Sequence, residues 1–428
     1  MTLADEIVEV VATAVGAPPP VRLQAWDGSV AGPDAGPTVV LRSTGALRRM
    51  IWRPGELGLA QAYVTGELDV DGDLGDGLRR MWASRRAATS TGTTIAGPSA
   101  RRLASAAPRV LRLARRAGAL GSPARPPDSQ ARLRGRLHST ARDRAAIAHH
   151  YDLSNDFYEL ILDEQMVYSC AYWRSDHDDY TLADAQTDKL DLVCRKLALR
   201  AGDRLLDVGC GWGATAIHAA AHYGAFVTGI TLSTEQAAFA RRRVTELGLD
   251  EQVTIEVRDY RDLTTGPSAV PYDAVSSLEM GEHVGEANYP TYAATLAAMV
   301  RPGGRVLVQQ MSRGRVAPGG GAFIEAFIAP DMFMRPLGRT VDLIEAAGLE
   351  VVSVQGMREH YVRTIEAWHD TLEARWDDVV ALVGPEVARV WRLYLVGSAL
   401  AFEQGRMGVD QILAVRPDVT TTGAPRRR

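Results

Sequence analysis

Nine residues constrain this chain more than any others. Leu205-Leu206-Asp207-Val208-Gly209-Cys210-Gly211-Trp212-Gly213 reads as an apolar strand that ends near an acid and turns through three alternating glycines into a helix. Such a turn needs glycine, because the backbone bends sharply and approaches a ligand where a Cβ would collide. The spacing G-x-G-x-G is not the dinucleotide fingerprint G-x-G-x-x-G, and the loop lacks the Lys-Ser/Thr of a phosphate-cradling P-loop. Around it, strands and helices alternate. Strand-like apolar runs fall at 204–208, 226–231, 253–257, 274–278, 305–310 and 349–354, with helical spacing at 234–247 and 289–300. Repeated strand–helix units predict an α/β fold with a mostly parallel sheet covered on both faces. Residues 368–407 read as a helical C-terminal portion.

Composition sets the frame for that core. A chain of 428 residues predicts more than one domain, and 46 % hydrophobic with 23 % charged residues is a globular mixture. The net charge of −4 argues against a nucleic-acid partner. That total hides a basic band: residues 84–150 carry 14 Arg, no Lys and two acids. Of the 48 basic residues in the chain, only Lys189 and Lys196 are lysines. Cys170, Cys194 and Cys210 are too few for a disulfide framework and show no C-x-x-C spacing, which fits a reducing cytoplasm and no bound metal. The N-terminus places acids where a secretory signal needs positive charge. The longest strongly apolar run, 393–402, is about half of the roughly 20 residues a membrane span needs, so any membrane contact is expected to be peripheral.

These features divide the chain. Residues 1–83 read as a small α+β domain, with a strand at Val39-Val40-Leu41 and helices at 46–52 and 57–64. Its alternating Asp69, Asp71 and Asp73 lack the Gly and Glu of a calcium loop and read as an acidic turn. Residues 84–145 form an arginine-rich linker. A Ser/Thr/Gly tract and a proline cluster flank a basic helix at 101–116, which suits an anionic lipid surface or a solvated spacer. Residues 146–416 read as an α/β domain that carries the glycine loop, and 417–428 as a disordered tail.

The glycine loop with its preceding Asp resembles the first motif of class I S-adenosylmethionine (SAM) methyltransferases. That resemblance implies a Rossmann-like, mostly parallel seven-stranded sheet, with SAM against Asp207, Gly209, Gly211 and Trp212. Thr231 and Gln236 are the expected polar contacts at the ribose, and Asp259 with Tyr260 those at the adenine. Three further clusters are more specific: His149-His150-Tyr151-Asp152-Leu153-Ser154-Asn155-Asp156-Phe157-Tyr158 with Met166-Val167-Tyr168-Ser169-Cys170-Ala171-Tyr172-Trp173; Glu279-Met280-Gly281-Glu282-His283-Val284-Gly285; and Glu359-His360-Tyr361. With the glycine loop they closely resemble the cyclopropane-fatty-acyl-phospholipid synthases and the related mycolic acid methyltransferases. The likeness spans about 145–415 and continues more weakly into 40–80, through Gly55-Glu56-Leu57-Gly58-Leu59 and Gly66-Glu67-Leu68.

The resemblance implies transfer of the SAM methyl group to a cis double bond of an acyl chain, usually in a membrane phospholipid. The carbocation formed must be shielded from water and lose a proton. In that family bicarbonate is assigned as the base, held by a Cys, a Glu, a His and a Tyr. Cys170, Glu282 and Tyr361 match three of those places, and Gln309 stands at the place of the His. Tyr168 and Ser169 are expected beside SAM. His283 reads equally as a structural hydrogen-bonder or a catalyst, and Glu279 as scaffolding near the methionine end. Glutamine hydrogen-bonds but cannot carry the charge of an imidazolium, which leaves bicarbonate an open expectation. It also favours collapse of the cation to a 10-methylene branch, as in actinobacterial enzymes of this family, over closure of a cyclopropane. A small-molecule SAM methyltransferase and a lipid-surface binding protein that retains a decayed methyltransferase fold are the remaining readings. The expected partner is a phospholipid surface on the inner face of the cell membrane, with a homodimer and a separate reductase left open and no nucleic acid.

Overall fold

The computed structural model describes residues 1–88, 100–132, 135, 137, 142, 154–263, 271–314 and 320–418, with 85–88 and 100–103 described by backbone alone. The His149–Leu153 part of the first cluster, most of residues 133–145, the Ser/Thr/Gly tract and residues 419–428 of the tail lie outside the described residues. The chain divides into two compact units. The first comprises Met1–Arg132, Gly321–Ile328 and Arg375–Leu400, and the second Leu133–Gly320, Ala329–Ala374 and Ala401–Arg428.

The first unit contains a four-stranded sheet in the order β2-β1-β3-β4, formed by β1 (Arg22–Gln24), β2 (Val30–Ala31), β3 (Thr38–Leu41) and β4 (Leu68–Asp71). Its core gathers Leu3, Ile7, Leu23, Leu41, Leu47, Tyr63 and Leu68. The helix Ala100–Arg116 contributes Leu113 and Ala114 to this core. Arg109 pairs with Glu9 at 3.6 Å and Arg116 pairs with Glu6, both on the helix Leu3–Val15. The opposite side of the same helix leaves Leu111, Arg112 and Arg115 exposed. Asp69 of the acidic turn accepts from Arg42 at 2.9 Å and Arg389 at 3.2 Å, so its charge is answered by guanidinium groups.

The second unit is built on a seven-stranded sheet: β5 (Arg204–Val208), β6 (Phe226–Thr231), β7 (Val253–Val257), β8 (Tyr272–Leu278), β9 (Val300–Arg313), β10 (Glu350–Gly356) and β11 (Met407–Val415), in the order β10-β11-β9-β8-β5-β6-β7. The five strands from β7 to β9 run parallel, and β11 is antiparallel to both of its neighbours. Leu205 and Leu206 show why the run before the glycine loop is apolar throughout. Successive strand residues face opposite sides, and each of the two is fully buried, in a different core cluster.

The strand β11 is absent from the periodicity. Its run Met407 to Val415 is interrupted by Asp410 and Gln411, and a helical stretch leads straight into it. That stretch is helical as expected, but comprises the end of Arg358–Ala374 and then Trp376–Glu403, the latter broken at Gly384 with φ 79°. Topology then locates the site. The chain leaves β5 for β6 and β7 on one side and returns to β8 on the other. Ligands of open α/β sheets bind at this reversal, outside the carboxyl ends of the strands.

Candidate active site

A cavity of about 140 Å³ lies at that reversal. The loops after β5, β6 and β8 line it, together with Met166 to Ser169 and Lys189. The glycine loop is shaped by close approach. Gly209 has φ 83°, and a Cβ there would lie 2.9 Å from Met280 Cγ. Gly213 has φ 87°, and its Cβ would press on Ala240 at 3.1 Å, so the helix Ala214–Tyr223 packs where only glycine fits. Above Gly211 the nearest atom to such a Cβ is Gln236 Nε2, 4.0 Å away, which leaves a cradle open to the cavity.

Asp207, Gly209, Gly211, Trp212, Thr231, Gln236, Tyr260, Tyr168 and Ser169 all line this space. Asp207 accepts from Ser276 Oγ at 2.7 Å through one oxygen, while its buried Oδ2 has no protein donor. Burial raises its carboxyl pKa to about 6. Thr231 donates to Gln236 Oε1 at 3.0 Å, and Ser233 caps the following helix by accepting from Gln236 N. Trp212 Nε1 is fixed on Asn155 Oδ1 at 2.8 Å. Asp259 departs from expectation. Its carboxylate accepts from Arg261 N, Nε and Nη2 at 2.6 to 2.9 Å and it is not among the lining residues, whereas Tyr260 is. An orphan acceptor and an open glycine cradle fit SAM.

The second half of the site centres on a residue read from sequence as scaffolding. Glu279 follows β8 directly and holds φ 51°, a left-handed conformation that is costly outside glycine and clusters at functional sites. Its N–H donates to Gln309 O at 2.6 Å. Three donors converge on its carboxylate: Cys170 N at 2.7 Å and Gln309 Nε2 at 2.9 Å on Oε1, and Tyr361 Oη at 2.6 Å on Oε2. Desolvation raises its pKa, opposed by these hydrogen bonds and by Lys189. The structure thus brings Cys170, Gln309 and Tyr361 together, but around Glu279 rather than Glu282. Glu282 instead accepts from Met311 N at 2.5 Å, has no donor on Oε2 and does not line the cavity. Burial, with the charge of Glu279 second, pushes its pKa up to about 8. His283 lines the cavity with its pKa lowered to about 4 by desolvation, so its ring is neutral. Cys170 contributes its backbone. The thiol donates to Ala171 O at 3.3 Å and Met357 O at 3.6 Å, and burial holds its pKa well above the usual range.

These residues do not fit a bound bicarbonate. The donors that would hold it are engaged by a carboxylate of the chain itself.

Two lysines and a glutamine ladder complete the site. Lys189, 1 % exposed, donates to Ser169 Oγ at 2.9 Å, and burial lowers its pKa. Lys196, seven residues further along the helix Leu182–Leu197, donates to Gln355 and Gln411 at 2.7 Å each, and burial lowers its pKa to about 8. Gln355, Gln411 and Gln309 stand opposite one another on β10, β11 and β9. Ammonium only donates, so Gln411 turns its oxygen to Lys196 and its Nε2 to Gln309 Oε1 at 2.8 Å, which leaves Gln309 Nε2 for Glu279. Scarcity was the one available signal for the lysines, the only two in the chain. An aromatic series connects both halves: Trp212–Tyr158 at 4.7 Å, Tyr158–Tyr168 at 5.5 Å, Tyr168–Trp368 at 5.2 Å and Trp368–Tyr361 at 6.1 Å. Arg335, 1 % exposed, braces the loop after β8 by donating to Glu286 at 2.8 Å and Gly285 O at 2.6 Å, and no local sequence pattern marks it.

Fold and cavity define a class I SAM-dependent methyltransferase, and comparison with known proteins agrees. Residues 138–412 match the family model described as mycolic acid cyclopropane synthetase, and the chain belongs to that family. It is 39 % identical over 405 residues to a protein of Pseudomonas putida named probable fatty acid methyltransferase, covering 93 % of this chain and 92 % of that protein. It is 33 % identical over 411 residues to tuberculostearic acid methyltransferase UfaA1 of Mycobacterium tuberculosis, covering 93 % and 88 %. Among solved structures it resembles the mycolic acid cyclopropane synthase CmaA1 complexed with SAH and CTAB, with a TM-score of 0.59 and 30 % identity, covering 64 % of this chain and 98 % of that one. SAM is its cofactor.

Proposed function

We propose that this enzyme methylates a carbon of a cis double bond in an unsaturated fatty acyl chain of a membrane phospholipid and releases a methylene-branched chain. The observation that carries the reading is the aromatic series running from the glycine loop to a cavity carboxylate. An alkene is a weak nucleophile, and its methylation leaves a carbocation. Of this series Trp212 and Tyr168 line the cavity, where ring faces stabilise a cation and exclude water, and a nearby carboxylate can take the proton that must be lost. Bound SAM supplies an electrophilic methyl group on sulfur. Asp207, Gly209, Gly211, Trp212, Thr231, Gln236 and Tyr260 hold it, and Tyr168 and Ser169 flank its reactive end.

The two outcomes differ in one step. Cyclopropane closure needs only loss of a proton from the added methyl carbon. A methylene branch needs a hydride to move first from the methylated carbon to its cationic neighbour, after which the methyl carbon gives up a proton. The methylene reading is supported by relatives named for fatty acid and tuberculostearic acid methylation that match over nearly the whole chain. Cyclopropane formation is the second reading, favoured by the name of the family and by the solved synthases. The substrate stays in a bilayer, so the enzyme docks on the inner membrane face, and a separate reductase would turn the methylene into a methyl branch. Expression in a host rich in oleoyl lipids, followed by mass spectrometry and proton NMR of the fatty acid methyl esters, decides among these. Vinylidene protons are expected. High-field cyclopropane protons would replace the first reading by the second, and lipids without added mass would overturn both.

A further inference from the structure

Among the described residues the cavity wall carries two carboxylates, Asp207 at the glycine loop and Glu279 just after β8. They differ in how they are held. Asp207 has one hydrogen-bond partner, whereas Glu279 is gripped by a main-chain N–H, an amide and a phenol. Those three donors fix its plane and use three of the roughly four lone-pair positions of a carboxylate, leaving one on Oε2. The backbone accepts a left-handed φ of 51° to place this side chain there. Behind it, the polarity of the Lys196–Gln411–Gln309 ladder dictates that Gln309 presents a donor and not an acceptor. A position this over-determined by the Cys170 segment, β9 and the helix Arg358–Ala374 is one at which strain is maintained.

We propose that Glu279 is the catalytic base of this enzyme, a resident carboxylate that does the work of a bound bicarbonate and makes the enzyme independent of it. This rests on the alkene-methylation reading above. The alkene π pair forms a bond to the methyl carbon as the carbon–sulfur bond breaks and its electron pair stays on sulfur. After the hydride shift, a C–H bond of the methyl carbon breaks. Its electron pair becomes the exocyclic double bond, and the proton goes to Glu279 Oε2, from which it passes to solvent once the product has left. Closure of a cyclopropane would use the same acceptor without the hydride shift. Desolvation supports the role by making Glu279 a stronger proton acceptor than an exposed carboxylate, while His283, its pKa lowered to about 4, is a poor one.

The test uses the full chain with SAM and vesicles of oleoyl phospholipid, in buffer scrubbed of carbon dioxide and with bicarbonate restored. Wild-type turnover should be the same in both. Glu279→Gln should lose about 100-fold or more in turnover, the scale of a general base, while SAH titrates with affinity within a few-fold of wild type. Glu279→Gly suits the left-handed backbone and frees the three donors, so bicarbonate or formate should restore part of its activity. Labelled bicarbonate should bind this variant and not the wild type in carbon-13 NMR. A wild type that stalls without bicarbonate, or a Glu279→Gln enzyme that keeps its turnover, overturns the assignment and leaves the alkene reading standing. A wild type that methylates no unsaturated lipid overturns both.

Discussion

At the scale of single residues, the site separates side chains that act from those that only lend a backbone. Cys170 belongs to the second kind, since its N–H reaches Glu279 while its thiol is spent on two carbonyls. Cys170→Ala should therefore keep kcat within about three-fold, a barrier change of under roughly 1 kcal/mol. A loss on the scale of Glu279→Gln would show that the thiol itself is needed. Glu282 gives a prediction in pH. Its folded pKa near 8 stands above the ordinary 4.5, so between these values the folded state keeps a proton that the unfolded chain has released. Stability from this group is then present at low pH, falls as pH rises through that window, and levels off above about 8. Measured against Glu282→Gln by denaturant unfolding, the wild type should lose stability with a slope on the order of 1 kcal/mol per pH unit. A flat difference would mean that Glu282 is ionised in the fold. Which of two glutamates three residues apart reaches the cavity was not legible in the sequence. Matching to a family motif selects Glu282, and the deciding feature is a backbone torsion at Glu279 that no residue type announces.

At the scale of elements, the site depends on a strand that hydrophobic pattern does not reveal. The glycine loop and the strands β5 to β9 were legible because each is a short apolar run ending in turn chemistry. Strand β11 was not, and with it went the glutamine ladder, since Gln411 meets Gln309 only through antiparallel pairing across 102 positions of chain. Register makes the ladder, and register is a property of the sheet. Lys196 orients it from outside the sheet. Lys196→Met removes the group that sets the polarity of Gln411, and both amides are then free to flip. The expected result is a fall in kcat of about 10-fold, roughly 1.4 kcal/mol in barrier, with SAH affinity unchanged. Unchanged kcat, or a matching loss of SAH binding, would count against an orienting role.

At the scale of the whole chain, charge is the feature composition reported best, but composition could not divide its work. Within the band of arginines, Arg109 and Arg116 are tied to the acids of the first helix, whereas Arg112 and Arg115 stand exposed beside Leu111. Helical phase makes that division: Arg109 and Arg116, seven residues apart, share one flank of the helix, whereas Arg112 and Arg115 lie on the side away from the buried Leu113 and Ala114. The exposed pair is the part suited to anionic headgroups, each worth about 1 kcal/mol near such a surface. Replacing Arg112 and Arg115 by Glu should cut co-sedimentation with anionic vesicles about ten-fold or more at low salt and leave neutral vesicles unaffected. Equal binding of both proteins would show that this pair does not contact headgroups.

The two lysines carry a practical consequence. The chain has 48 basic residues, yet its side-chain primary amines are confined to Lys189 in the cavity wall and Lys196 at the root of the glutamine ladder. Amine chemistry can therefore report on the reaction centre without any substitution. Reductive methylation with isotopic formaldehyde would install two side-chain NMR reporters, one for each half of the catalytic apparatus. Their rates of modification would register cofactor entry directly, as protection from reagent.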